Sequence, residues 1–112
     1  MEIKVSQEKQ LAIVAITGSV DTLTSGEVSR SLSQQIEAGK KRVIVDLSQV
    51  DFLGSAGLRV ILAALKESRQ QGGDLSLAGA QPGVEKILKM SGFTNILKAY
   101  ATVKEAIADL VA

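Results

Sequence analysis

The chain has 112 residues, of which 46% are hydrophobic, a size and content that suit one small domain spanning residues 1–112 around a single core. Lys and Arg total 13 against 12 Asp and Glu, and the formal charge of +1 supplies no whole-chain field toward nucleic acid or an anionic membrane. The absence of cysteine and histidine excludes disulfides, thiol chemistry, thiolate or imidazole metal sites and any nucleophile activated by a His base.

Ile3 and Val5 alternate with polar neighbours, and after a polar connection from Ser6 to Gln10 the run Leu11 to Ile16 resumes strand character, which predicts an antiparallel hairpin. Gly18 is expected to close the second strand, with Ser19, Val20, Asp21 and Thr22 carrying the chain out of the sheet. Thr24 and Glu27 have the spacing of a capping box, and Leu23 with Val28 that of a hydrophobic staple, so Asp21 falls in the loop just before a helix. Val28, Leu32 and Ile36 form one apolar stripe on it, and Gly39 is placed to end it. Lys40, Lys41 and Arg42 read as a solvated entry to the next strand.

Arg42 to Leu47, RVIVDL, is a nearly continuous β-branched run, as expected of a central strand covered on both faces. Asp46 and Ser48 are expected to steady a short polar connection after it. A second helix follows with Leu58, Ile61, Leu62 and Leu65 on its apolar face, stopped by Gly72-Gly73. Leu75 and Leu77 mark a short strand, and Pro82 opens a third helix that buries Val84, Ile87 and Leu88, with Met90 and Phe93 as further packing residues. Phe93, Ile96 and Leu97 lead into a short extended piece. Thr102 and Glu105 then repeat the capping-box spacing ahead of a last helix with Val103, Ala106, Ile107, Leu110 and Val111 inward. The order ββαβαβα(β)α, with about four helices, predicts an α/β domain with a mixed, mostly parallel sheet.

No charged leader with an apolar run opens the chain, and no apolar segment approaches the ~20 residues that cross a bilayer. The expectation is a cytoplasmic protein without membrane insertion. An aromatic content of 3% leaves little material for stacking nucleic-acid bases, so no direct nucleic-acid contact is expected.

Ser55 stands where the central strand gives way to the second helix. Functional groups of open α/β sheets gather at such carboxyl ends of strands. The N–H groups of Ala56, Gly57 and Leu58 would be unpaired at the helix start, and the helix dipole adds partial positive charge, so a phosphate on or near Ser55 would be favoured. A plain N-cap serine fits the same residues. A nucleophile elbow does not, because Leu53 stands where its first glycine belongs and no His is present. A P-loop fails for want of a Lys after the glycines. Neither a catalytic residue, a metal nor a cofactor is expected.

The string DLSQVDFLGSAGLRVIL resembles the signature of the STAS domain, in particular the small stand-alone anti-sigma factor antagonists of bacteria. Gly18-Ser19-Val20-Asp21 is similar to the family's Gly-Glu-Leu-Asp segment, Gly72-Gly73 to its Gly-Gly turn, and PGVEKILKMSG to its third helix. The resemblance implies a non-enzymatic regulator that binds an anti-sigma factor with a histidine-kinase-like ATP-binding domain. That partner would phosphorylate Ser55 and release the antagonist, and a serine phosphatase would restore it. Around Ser55 the implied switch environment comprises Asp21, Gly54, Ala56, Gly57 and Arg59, with Arg59 facing outward toward an acidic partner. Two positions depart from the usual motif: Gly54 replaces an Asp, and Ala56 a second hydroxyl residue. A constitutive scaffold in a transporter or signalling assembly, with Ser55 a helix cap only, is the alternative.

Overall fold

The computed structural model describes residues 1–111. Its strands are β1 (Glu2–Glu8), β2 (Leu11–Val20), β3 (Arg42–Leu53), β4 (Asp74–Ala78) and β5 (Ala99–Tyr100). Its helices are α1 (Ser25–Glu37), α2 (Ser55–Gln70), α3 (Pro82–Met90) and α4 (Val103–Leu110), with a 3-10 turn at Phe93–Asn95. The strands form one sheet in the order β1-β2-β3-β4-β5, antiparallel between β1 and β2 and parallel elsewhere. This is the predicted α/β class, and the helices supply the crossovers that parallel neighbours require.

The apolar stripes close on the sheet from both sides. Val28, Leu32 and Ile36 of α1 and Ile61 and Leu65 of α2 share one core with Val14, Ile16, Val43, Val45 and Leu47, and Val84, Leu88, Phe93 and Leu97 extend it. Each such side chain contributes ~1.5–3 kcal/mol when fully buried. On the opposite face Ala106 of α4 meets Leu11, Ile44 and Ala78.

Several boundaries differ from the sequence reading. β1 continues to Glu8, so the polar connection shrinks to Lys9 and Gln10, and β2 runs past Gly18 to Val20. β3 reaches Leu53, turning the expected polar connection into strand. The cause is a pair of bulges: Ala15 pairs with Asp46 but Thr17 with Gln49, and Gly18 pairs with Val50 but Ser19 with Phe52. Each inserts one extra residue into β3, so the core-facing positions step from Val43, Val45 and Leu47 to Val50 and Leu53. Asp46 Oδ1 accepts from the Ser48 N–H at 3.0 Å within the first bulge, steadying strand rather than loop.

The start of α1 also differs. Thr24 is its N-cap residue but makes no side-chain capping bond, and Leu23 is 92% exposed, so neither the capping box nor the staple forms. Met90 at 78% and Val111 at 63% exposure are surface residues rather than packing ones. At α4 the prediction holds in part: Thr102 Oγ1 accepts from the Glu105 N–H at 3.1 Å.

Candidate functional site

The carboxyl ends of β2 and β3 lie side by side, with Val20 opposite Leu53. The chain then turns into α2 through a single residue, Gly54, whose N–H donates to Val20 O at 3.0 Å. Gly54 is the N-cap residue, in extended backbone (φ −88°, ψ −178°), and Ser55 is the first residue of the helix. This corrects the reading of Ser55 as the cap. The cap residue is a glycine with no side chain to offer the free N–H groups, so no side-chain capping bond forms. Ser55 is exposed.

The donors at this corner are also shifted by one residue from those predicted, to Ser55, Ala56 and Gly57. Leu58 N–H donates to Gly54 O at 3.0 Å, which leaves the N–H groups of the first helical turn before it to solvent or to an anion. Gly57 is buried beneath them. A Cβ at position 57 would lie 2.6 Å from Leu53 Cδ1 and 2.8 Å from Val20 Cγ1, so the missing side chain is what lets α2 seat on the ends of both strands. Ala56 is half-buried, Leu58 packs against the core, and Arg59 is exposed one turn after Ser55.

Asp21 follows Val20 directly, so the Gly54–Val20 bond holds the backbones before Asp21 and Ser55 together. The Asp21 carboxylate is occupied locally: Oδ1 accepts from the N–H of Leu23 at 2.9 Å and of Thr24 at 3.1 Å. The Thr24 hydroxyl has one proton, given to Ser19 O at 2.8 Å in preference to Asp21 Oδ1 at 3.2 Å. Asp21 thus closes the turn before α1, while the cap expected of Thr24 does not form. Ala56, Arg59 and Asp21 are brought to the same corner as Ser55, while Gly54 and Gly57 serve as its hinge and its seat.

Sequence reasoning missed three neighbours. Asp51, the extra residue of the second bulge, accepts from Ser19 Oγ at 2.9 Å and ties the strand ends together. Phe52 is 49% exposed, and a Cβ on Gly54 would come 3.0 Å from its Cε2, so its ring lies over Gly54 beside Ser55. Leu23 projects from the Asp21 loop. The three-residue steps from Leu47 to Val50 to Leu53 were the available signal, since they identify Asp51 and Phe52 as outward-facing.

The family model for the STAS domain matches residues 2–106. The chain belongs to the STAS domain family. A Bordetella bronchiseptica protein, BtrV, described as a candidate anti-sigma factor antagonist, is 32% identical over 96% of this chain and 92% of its own. The anti-sigma F factor antagonist of Paenibacillus polymyxa is 28% identical over 98% of this chain and 95% of its own. Among solved structures, the Bacillus anti-sigma factor antagonist SpoIIAA superposes with a TM-score of 0.84 in its unphosphorylated form, at 21% identity and 97% and 96% coverage. Its phosphorylated form gives 0.78 at 19% identity, with 97% and 99% coverage. These two likenesses concern the fold.

A cleft of about 900 Å³ in this STAS domain lies away from Ser55, between α3 and the β5–α4 segment. On its wall Tyr100 donates to Asp109, which also pairs with Lys98 at 3.4 Å. Loss of solvent, the bond to Asp109 and the nearby carboxylates push the Tyr100 phenol up to about 12. The same bond, with Lys98, holds Asp109 below the usual carboxylate range. The cluster links β5 to α4. Among the described residues no helix is long and apolar enough to cross a membrane, and no group of three or more acidic residues is arranged to hold a metal.

Proposed function

We propose that this chain is an anti-sigma factor antagonist that works by partner switching. Unmodified, it binds an anti-sigma factor with a histidine-kinase-like ATP-binding domain in the cytoplasm and so frees a sigma factor. Phosphorylation of Ser55 by that partner ends the complex, and a serine phosphatase restores it. The chain itself performs no catalysis. The observation that carries this reading is the state of Ser55: exposed, making no capping bond, and set on the first turn of α2 within the family's signature segment.

The physical logic is local. A phosphoserine adds about −1.5 to −2 charge, which a helix start tolerates and favours by ~0.3–1 kcal/mol. The same charge beside exposed Leu23 and Phe52 would spoil any contact that buries those side chains, because a desolvated, unpaired anion is costly. No change of fold is needed. Release therefore follows from electrostatics at one corner of the sheet.

Gly54, in place of the usual Asp, favours the second reading, a constitutive scaffold of a transporter or signalling assembly. Its requirement that Ser55 be a helix cap is weakened by the missing capping bond. Incubation with the ATP-binding anti-sigma factor of the same genome and ATP, followed by peptide mapping in a mass spectrometer, separates the two. Phosphate on Ser55, lost in Ser55→Ala, supports switching; an unmodified chain, or equal labelling of Ser55→Ala, refutes it.

A further inference from the structure

We propose that the end of the sheet opposite Ser55 carries a second docking site, an apolar groove with a basic rim that takes an acidic, amphipathic peptide segment of a partner protein. The groove, about 470 Å³, runs between the β1–β2 turn and α4, where Leu11, Ile107, Leu110 and Val111 line it and Lys9 and Arg42 stand at its edge. Ile107 and Leu110 are only partly buried, and Val111 is 63% exposed. Helix α4 thus leaves part of its apolar face uncovered beside the turn.

Charge decides what covers it. Lys40 Nζ donates to Lys9 O at 2.6 Å, which holds a third cation at the turn, and Lys41 Nζ donates to Gln71 O at 2.5 Å. Carbonyls anchor these two lysines without cancelling their charge. Among the described residues none of Lys9, Lys40, Lys41 and Arg42 forms an ion pair. The acids nearby are Glu8 on the groove and Asp74, which is beside Arg42 in the sheet register but already bonded to Arg69 at 3.0 Å. The local balance is positive in a chain whose overall charge is only +1, so carboxylates of a partner complement the rim while its aliphatic side chains fill the groove.

A peptide suits this shape better than a membrane, because the apolar residues line a concavity. Arg42 begins β3 and Ser55 follows its end, so a partner held at the groove leaves the Ser55 corner uncovered. The inference stands independently of the Ser55 reading.

The test is selection of a random linear peptide library on the intact chain, followed by amide NMR mapping and affinity measurement on wild type and on the Lys9→Glu/Arg42→Glu variant. Both altered side chains are exposed, so the variant retains the fold, which its own amide spectrum verifies. The expected result is enrichment of peptides combining Asp or Glu with aliphatic residues, shifts confined to the β1–β2 turn, Arg42 and α4, and at least ~10-fold weaker binding to the variant. Failure to enrich peptides, enrichment of basic or uncharged ones, or equal affinity for the variant overturns the proposal. So does a result in which phosphatidylcholine vesicles containing phosphatidylglycerol shift these amides and the selected peptides do not.

Discussion

Gly54 and Val20 are joined by a backbone hydrogen bond of 3.0 Å that crosses from the start of α2 to the end of β2. Asp21 and Ser55 each follow one of these residues, so one bond sets the spacing of the acidic loop and the exposed serine. At the same corner Gly57 of α2 is seated on Val20 and Leu53 at the strand ends.

The two glycines at this corner should respond differently to substitution. Gly57→Ala places a methyl group within 2.6 Å of Leu53 Cδ1 and should cost about 1–3 kcal/mol in thermal or urea unfolding. Gly54→Asp should be tolerated, because the backbone there is extended, the nearest obstacle is the half-exposed Phe52 ring, and Asp caps a helix better than Gly. A melting temperature for Gly54→Asp at or above that of the wild type is expected.

Ser55 and Thr102 offer a second contrast. Thr102 accepts the Glu105 N–H at 3.1 Å, and Thr102→Ala should lower stability by ~1 kcal/mol. Ser55→Ala removes no capping bond and should change stability by less than ~0.5 kcal/mol. Paired denaturation curves test this directly; a cost at Ser55 equal to that at Thr102 would restore the plain-cap role.

Tyr100 makes the β5–α4 link observable. It is the one tyrosine of a chain without tryptophan, so tyrosinate absorbance reports this residue alone. Its midpoint should lie at about 12 instead of the usual 10.0. Because the folded value is raised, the stabilisation is fully present below the unfolded phenol's pKa and is lost as pH rises through about 12. Asp109 works in the opposite sense: its value is lowered, so its contribution is present above the ordinary carboxylate pKa and lost as pH falls through the folded one. Tyr100→Phe should remove the phenol's alkaline contribution to the stability profile.

The fold was readable because its signals are periodic. Val28, Leu32 and Ile36, and Ile61 and Leu65, advertise helix faces, and RVIVDL advertises a buried strand. What periodicity conceals is its own interruption. The bulges in β3 break the alternation at Ser48 and Asp51, so SQVDF resembled a loop, and Phe52 and Asp51 were not recognised as outward-facing neighbours of Ser55. At Thr24 the spacing of a capping box was present, but Asp21 took the Thr24 N–H that the Glu27 side chain would have met, and the Glu27 N–H went to the Thr24 carbonyl instead of its hydroxyl. Leu23, freed from any staple, became surface. The position of Ser55 at a strand–helix junction was legible; its place inside the helix rather than at the cap depended on the one-residue turn at Gly54.

The central claim is that a phosphate on Ser55 abolishes a contact that the unmodified corner makes. Calorimetric titration of the cognate ATP-binding anti-sigma factor with the unmodified chain, with its Ser55-phosphorylated form and with Ser55→Ala measures this directly. The account predicts comparable affinity for the unmodified chain and Ser55→Ala, and a loss of at least about tenfold, ~1.4 kcal/mol, on phosphorylation. Equal affinity for the phosphorylated and unmodified forms would contradict it.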